Sequence, residues 1–151
     1  MTIETPLLWL NAQNVSYKVL QYPANITTSS EAAAFLGIEE AQMLKSLLVK
    51  VGDEFVMMLT PLNKRLDMNV LMQYFSVKKS RMATPDEVFE ITGYKIGTTC
   101  PFLLKTNLRI FLDQDVLKYK EIAISSGEKG KEIMISLADL QRVIQVSIIA
   151  T

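Results

Sequence analysis

Two segments of the chain combine residue types that could do chemistry. Lys45 begins a strongly apolar run after a short polar turn. A lysine placed there can point from a sheet edge into a cleft and pair with a phosphate or a developing negative charge. The loop from Gly93 to Phe102 contains two glycines and one proline, with Gly97 and Pro101 four residues apart. Such a loop can aim backbone N–H groups at an oxyanion or a carbonyl, because glycine permits close approach and proline fixes the exit direction.

Each of these features also has a purely structural explanation. A lysine at the end of a strand is often solvated, and a glycine-proline loop is often just a turn. The only cysteine, Cys100, lies in the same loop and is a third candidate, as a nucleophile. A reactive thiol needs a neighbouring base, cation or helix terminus, and Lys105 could provide the cation. A lone cysteine is more often a small buried hydrophobe, so thiol chemistry is the weakest of the hypotheses.

The absence of histidine limits the possible mechanisms. With no histidine among 151 residues, Ser-His and Cys-His pairs are excluded, and so are most zinc sites. We therefore expect no metal and no cofactor. The 16 basic residues balance the 16 acidic ones, which argues against bulk binding of nucleic acid but leaves room for one small basic site.

Length and composition predict one domain, residues 1–151. A chain of about 150 residues can bury roughly 70% of its unfolded surface around a single core, and 49% of these residues are apolar. A single cysteine cannot form an internal disulfide, which indicates a reducing compartment. No apolar run approaches the ~20 residues that span a bilayer, and the amino terminus lacks a secretory pattern. We expect a cytoplasmic protein that does not contact the membrane.

The elements that position the candidate residues are short and alternate in type. The clearest is a hairpin, in which Gly52-Asp53 joins two β-rich runs. Thr84 and Glu87 form a capping-box pattern with Pro85 at the first helical position. Hairpin-linked strands interrupted by helices predict an α/β (α+β) domain with a partly antiparallel sheet. The predicted elements are helices at 5–14, 28–36 and 137–144, helices beginning at Asp67 and Thr84, and strands at 17–22, 45–51, 54–60, 109–113, 121–125 and 132–136.

Taken in order, several segments resemble the YbaK/prolyl-tRNA synthetase-associated editing-domain family. The resemblance covers roughly residues 15 to 145. It rests on six segments, which are the strand Lys45-Ser46-Leu47-Leu48-Val49, Pro61 with Lys64-Arg65-Leu66-Asp67, the loop Thr92-Gly93-Tyr94 to Gly97-Thr98-Thr99-Cys100-Pro101-Phe102, the strand Arg109–Asp113, the turn Ser126-Gly127 to Gly130, and the helix Leu137–Leu140.

The resemblance implies a mixed, largely antiparallel barrel-like sheet surrounded by helices. It also implies hydrolysis of the ester that joins a wrong amino acid to the terminal adenosine of a tRNA. The substrate would be a small amino acid such as Ala, Cys or Ser on tRNA for proline. The partners would be the acceptor end of mischarged tRNA and a prolyl-tRNA synthetase, and the protein would be a monomer or a homodimer.

The same resemblance assigns roles to individual residues. Lys45 would serve the phosphate or carbonyl end of the substrate, and the loop from Gly97 to Pro101 would hold the aminoacyl group with backbone donors. We further expect Lys45, Lys64 and Arg65 to gather near one mouth, with acidic residues elsewhere. The catalytic assignments are Lys45, Gly97 and Pro101, and the substrate-binding assignments are Arg65, Thr98, Thr99, Cys100, Phe102, Ser126 and Gly127.

Several positions depart from the family pattern and keep a second hypothesis open, among them Tyr22-Pro23-Ala24-Asn25, where family members often carry a histidine. Cys100 stands where serine is common, Leu103 where glycine is common, and Glu128 in a turn that usually carries a basic pair. These changes concern the pocket more than the fold, and they leave the amino acid removed undetermined. The alternative is a non-catalytic module that binds a tRNA end, a nucleotide or a protein on the same fold.

Overall fold

The computed structural model describes residues 5–151. The prediction of one domain over residues 1–151 and the prediction of an amino terminus without a secretory pattern both include residues 1–4, which lie outside the described range. The five α-helices are α1 (Pro6–Ala12), α2 (Ser29–Leu36), α3 (Met68–Phe75), α4 (Pro85–Thr92) and α5 (Leu137–Val143). The strands are β1 (Tyr17–Gln21), β2 (Leu44–Val51), β3 (Glu54–Pro61), β4 (Ser80–Met82), β5 (Arg109–Asp113), β6 (Glu121–Ser125), β7 (Lys131–Ser136) and β8 (Ser147–Ile149). Glu40–Gln42 and Gln114–Lys118 form short 3₁₀ helices.

The strands form two sheets. One sheet has the order β1-β7-β6, and the other has the order β4-β2-β3-β5-β8. All pairs are antiparallel except β3 with β5 and β5 with β8. This architecture confirms the mixed α/β fold class. Within residues 5–151 the sheets do not close into a barrel, because a single bridge joins them, from Met43 just before β2 to Ala123 of β6.

The helices begin and end where their capping residues predict. The side chains of Thr28, Asp67, Thr84 and Ser136 each accept a backbone N–H from the first turn of a helix. The Thr84 box is complete, since Glu87 also accepts the N–H of Thr84. These bonds supply partners to donors that the helix itself leaves unpaired.

The β2–β3 hairpin turns at Gly52-Asp53, as predicted. Gly52 has φ +61°, and positive φ at the first of two turn residues is typical of a type II′ turn. A Cβ atom at Gly52 would lie 2.9 Å from Cγ1 of Val77, so glycine also permits close packing here. The turn fixes the β2–β3 register, in which Lys45 pairs with Thr60.

Two strands were not predicted, β4 and β8. Each has three residues, which is too short for an alternating pattern to be recognised. Each exists because a longer strand already offers an edge: β4 pairs with β2, and β8 pairs with β5.

The core lies mainly between the two sheets. Its fully buried members include Leu59, Leu112, Ile122 and Ile133. A second cluster packs α3 against the five-stranded sheet through Leu71. Among residues 5–151, no helix is both long enough and apolar enough to cross a membrane.

Candidate functional site

A cleft of about 280 Å³ opens beside β2 and brings together three of the predicted site residues, Lys45, Gly97 and Thr99. Two further polar residues in its wall, Ser125 and Glu132, were not predicted. The rest of the lining is mostly apolar, and consists of Ser29, Met43, Leu44, Ser46, Leu47, Leu48, Leu62, Met82, Ala83, Val88 and Ile96.

The cleft follows a gap along the edge of β2. On this side of β2, strand β4 pairs only with residues 49–51. Strand β6 reaches only Met43, through the bridge to Ala123. The intervening residues of β2, 44–48, all line the cleft.

Lys45 brings an uncompensated positive charge to this cleft. Partial burial lowers the pKa of its ammonium group. No carboxylate of residues 5–151 lies within 4.0 Å of it. A desolvated ammonium group without a counter-ion binds an anionic or partly negative ligand atom more strongly than a solvated one does.

The loop before Pro101 is held in a turn that brings Gly97 and Thr99 to the cleft. The backbone N–H and the hydroxyl of Thr98 both donate to the carbonyl of Lys95, at 3.0 and 2.9 Å. Gly97 has φ +91°, and a Cβ atom there would meet nothing within 4 Å. The glycine is therefore required by the backbone conformation, and the space beside it is open.

Ser125 connects this loop to the three-stranded sheet. Its hydroxyl donates to the carbonyl of Thr98 at 3.0 Å and accepts the N–H of Gly127 at 3.1 Å. The loop and the turn after β6 therefore hold each other in place.

Ser126 and Gly127 shape that turn and are absent from the cleft lining. Ser126 is fully buried and donates to the carbonyl of Lys131 at 2.8 Å. Gly127 has φ +87°, and a Cβ atom there would lie 2.9 Å from Cε1 of Tyr94. Both assigned residues thus shape the turn after β6, and Gly127 donates its N–H to Ser125, which lines the cleft.

Glu132 is the polar wall residue that the sequence interpretation missed. It is only 9% exposed, and burial raises the pKa of its carboxyl to about 7. Within residues 5–151 its carboxyl group has no ion-pair partner. Its neighbours Ile133 and Ile135 face the main core, and Glu132 pairs in register with Ser125 on β6. In the sequence, this position shows only a glutamate beside an alternating apolar strand. That pattern usually indicates a solvated strand end.

The structure separates the remaining loop residues from the cleft. Cys100 and Phe102 have no exposed surface and belong to the main core, where Phe102 packs against Trp9. Burial raises the pKa of the Cys100 thiol to about 11. Pro101 lines a different groove, of about 840 Å³, together with Arg109. The substrate-binding assignment of Cys100 therefore does not place it in the cleft wall, because the loop turns inward after Thr99.

The expected gathering of three cations at one mouth is wrong. Lys64 forms ion pairs with Asp113 and Asp115, each at 3.0 Å. Asp113 is fully buried and requires such a partner. Arg65 is exposed and is absent from the cleft lining. The expectation that acidic residues lie elsewhere also fails, since Glu132 lines the cleft.

The site therefore combines one cation, one carboxyl group and backbone polar groups in a small and largely apolar cleft. Such a set can bind a ligand that carries an ester or phosphate beside an amine, and it can stabilise an oxyanion. No three His, Cys, Asp or Glu side chains in the described part of the chain are grouped so that they could hold a metal ion.

Comparison with known proteins agrees with this picture. The aminoacyl-tRNA editing domain family matches residues 23–143. The proline–tRNA ligase of Thermosipho melanesiensis is 32% identical over 111 residues, which are 74% of this chain and 20% of the ligase. The uncharacterized protein YwhH of Bacillus subtilis is 27% identical over 123 residues, which are 81% of this chain and 78% of YwhH. The chain thus spans about one fifth of the ligase's length and most of YwhH.

Among solved structures, one describes a protein proposed to be a trans-editing enzyme for prolyl-tRNA synthetase. It superposes with a TM-score of 0.81 at 30% identity, and the match covers 89% of this chain and 85% of that one. The motif resemblance seen in the sequence is confirmed by these matches. The chain belongs to the aminoacyl-tRNA editing domain family.

Proposed function

We propose that the protein is a freestanding aminoacyl-tRNA deacylase that hydrolyses the ester of a small amino acid, Ala, Cys or Ser, on tRNA for proline. The observation that carries the proposal is the meeting of Lys45, which has no anionic partner in residues 5–151, with Gly97 and Thr99 in one cleft. Family membership supplies the class of substrate.

The chemistry needs few side chains. A water molecule, positioned by a substrate hydroxyl, attacks the ester carbonyl. The carbonyl oxygen becomes negative, and the bond to the ribose oxygen then breaks as that oxygen takes a proton. Lys45 and backbone N–H groups of the cleft stabilise the negative oxygen, and removal of one such donor typically lowers kcat roughly 10²–10³-fold. No metal ion is needed in this scheme, because Lys45 supplies the positive charge.

Glu132 gives the cleft a group that exchanges protons near neutral pH. A carboxyl with a pKa of about 7 is present in both protonation states there. An ideal general acid or base has its pKa close to the working pH. Glu132 is therefore the residue available to take the proton of the attacking water.

The size of the cleft favours a small aminoacyl group. Its volume of about 280 Å³ lies below the range of about 300–1,000 Å³ that is typical of sites for drug-sized ligands. Leu48, Ala83 and Val88 pack together beside it and give an apolar lining. Such a lining selects by size, as the second sieve of an editing system does. Acting on aminoacyl-tRNA, the protein would work in the cytosol.

The test measures release of the amino acid from a panel of tRNAs for proline charged with Ala, Cys, Ser or Pro. We expect release of at least one of the small residues and little release of Pro. Lys45→Ala should lower the rate about 100-fold or more. The matched control is Lys50→Ala on the same strand, because the Lys50 ammonium lies 5.6 Å over the Phe55 ring and outside the cleft lining.

Failure to release any amino acid in the panel would overturn the proposal, as would equal rates for the two lysine variants. If the protein binds charged tRNA but releases nothing, the non-catalytic alternative becomes the correct description.

A further inference from the structure

The cleft exposes backbone as well as side chains. Five consecutive residues of β2, 44–48, contribute to its lining. Side chains of a strand alternate between its two faces, so consecutive residues share one cavity only where the strand's edge faces it. The cleft therefore lies against an unpaired stretch of sheet edge.

Hydrogen bonds on both sides of this stretch define which backbone groups point into it. The carbonyl of Leu48 accepts the N–H of Ala83 at 3.0 Å, and the N–H of Gly52 donates to the carbonyl of Lys79 at 2.8 Å. The carbonyl of Met43 instead accepts the N–H of Leu62, beyond the end of β3, at 2.8 Å. Even-numbered residues of β2 therefore direct their backbone groups away from β3, and odd-numbered residues direct them toward it.

Ser46 is the residue in the middle of this edge. By the same alternation, both its N–H and its C=O point away from β3, and on that side neither a strand ladder nor an isolated bridge within residues 5–151 pairs with Ser46. Its side-chain Oγ is also buried without a hydrogen-bond partner in that range. Polar groups in such a position are normally satisfied by a ligand or by water.

The free edge is short and is closed at both ends. Residues 44–48 span roughly 16 Å at about 3.3 Å per residue. β4 closes one end at Ala83, and β6 closes the other at Ala123. The Leu48 carbonyl is already bonded to Ala83, so a single amino-acid unit paired with Ser46 fits between these two ends.

We propose that Ser46 binds the aminoacyl group through its backbone, as though that group were one residue of an added antiparallel strand. The Ser46 N–H donates to the ester carbonyl oxygen, and the Ser46 C=O accepts from the α-ammonium group. Two opposed residues of an antiparallel sheet exchange the same two bonds. The inference rests on the proposed function, because it takes the occupant to be an α-amino ester.

This pairing contributes to catalysis as well as to binding. The donor at Ser46 strengthens its bond as the carbonyl oxygen becomes an oxyanion, so it favours the transition state over the ester. The bond to the Ser46 C=O requires an N–H donor on the α carbon of the amino acid. Because this donor and the ester carbonyl are common to all α-amino esters, the pairing explains how the cleft can recognise any small amino acid while selecting its side chain only by size.

The direct test is amide hydrogen exchange by NMR on the full chain, with 3′-(alanylamino)-3′-deoxyadenosine as a probe that is not hydrolysed. We expect fast exchange of the Ser46 amide without the probe and at least roughly tenfold slower exchange with it. The amides of Lys45 and Leu47 already face β3 and should be unchanged, which makes them internal controls.

The result separates the inference from the function. If the probe shifts the Thr99 resonance but leaves Ser46 exchange unchanged, the inference is overturned and the deacylase proposal stands. Protection of Ser46 before the probe is added also overturns it. If the probe does not bind at all, both the inference and the proposed function are contradicted.

Two kinetic measurements test the two bonds separately. Proline is tolerated at edge positions whose N–H has no partner, so Ser46→Pro removes the donor with little change to the ladder. The kcat of Ser46→Pro should be about 100-fold lower than the kcat of Ser46→Ala. A propionyl ester on the same tRNA lacks the α-amino donor and should show a KM roughly tenfold higher than the alanyl ester. Equal kcat for the two Ser46 variants, or equal KM for the two esters, would overturn the corresponding bond.

Discussion

Lys45 and Glu132 line the same cleft, yet their charged groups lie more than 4.0 Å apart and neither has an ion-pair partner in residues 5–151. Two desolvated groups of opposite charge that do not neutralise each other destabilise the fold. They are complementary to a ligand that carries both signs. The aminoacylated end of a tRNA carries both, because the amino acid has an ammonium group and the terminal adenosine is joined to the rest of the tRNA by a phosphate.

Replacing Glu132 should show that its buried carboxylate destabilises the fold in a pH-dependent way. The pKa of Glu132 is about 7 in the fold against 4.5 ordinarily, so the folded state holds its proton more tightly than the unfolded state does. Stability is therefore lost as the pH rises from about 4.5 to about 7. Glu132→Gln should raise the free energy of unfolding by about 3 kcal/mol at pH 8 and by little at pH 4.

Urea unfolding at the two pH values measures this difference. Glu128→Gln is the control, because Glu128 is an exposed residue of the neighbouring turn. A gain in stability that is the same at pH 4 and pH 8 would show that Glu132 is not buried as a titrating group.

A second prediction compares two glycines that both have positive φ. Gly97 and Gly37 both have positive φ, and a Cβ atom at either would meet nothing within 4 Å. Each alanine substitution should therefore destabilise the fold by about 1–2 kcal/mol through strain alone. Gly97→Ala should also lower the deacylation rate at least tenfold, because the loop lines the cleft, whereas Gly37→Ala at the end of α2 should not. Equal rates for the two variants would contradict a role for the loop.

The thiol of Cys100 should be unreactive in the folded protein. It has no exposed surface, and burial raises its pKa to about 11, so almost no thiolate is present at pH 8. We expect a thiol-labelling disulfide reagent to react only as fast as the protein unfolds, and fully in urea. Rapid stoichiometric labelling of the native protein would instead support the thiol-enzyme hypothesis.

Lys64 should be a stability residue rather than a substrate residue. Its ammonium lies 3.0 Å from a carboxylate oxygen of Asp113, whose side chain is fully buried. Lys64→Ala leaves that carboxylate without its cation and should lower the free energy of unfolding by about 3–5 kcal/mol. Glu54→Gln breaks the exposed pair with Arg109 and leaves the contacts of Arg109 with the Phe75 and Phe111 rings in place, so it should lower the free energy of unfolding by less than about 1 kcal/mol. Similar losses in thermal or urea unfolding would contradict the distinction.

Much of the local structure follows from short stretches of sequence. Thr84 caps α4 and Gly52 turns the β2–β3 hairpin because each interaction joins residues a few positions apart. Lys45 and Gly97 could also be nominated from sequence, Lys45 as a charge at the start of an apolar strand and Gly97 as part of a glycine-proline loop. Their nomination depended on resemblance as well, because neither residue alone distinguishes a site from a strand end or a turn.

The tertiary structure decided which of those residues share a cleft and which groups in it lack partners. Glu132 is buried because β7 turns it toward Ser125 and the cleft, and Cys100 enters the core because the loop folds inward after Thr99. The edge at Ser46 is free because β4 stops at Met82 while β6 reaches only Met43. Sequence determined the elements through local capping, turn and alternation preferences. Burial, charge pairing and an unpaired sheet edge depend on segments far apart in the chain, so only their packing could fix them.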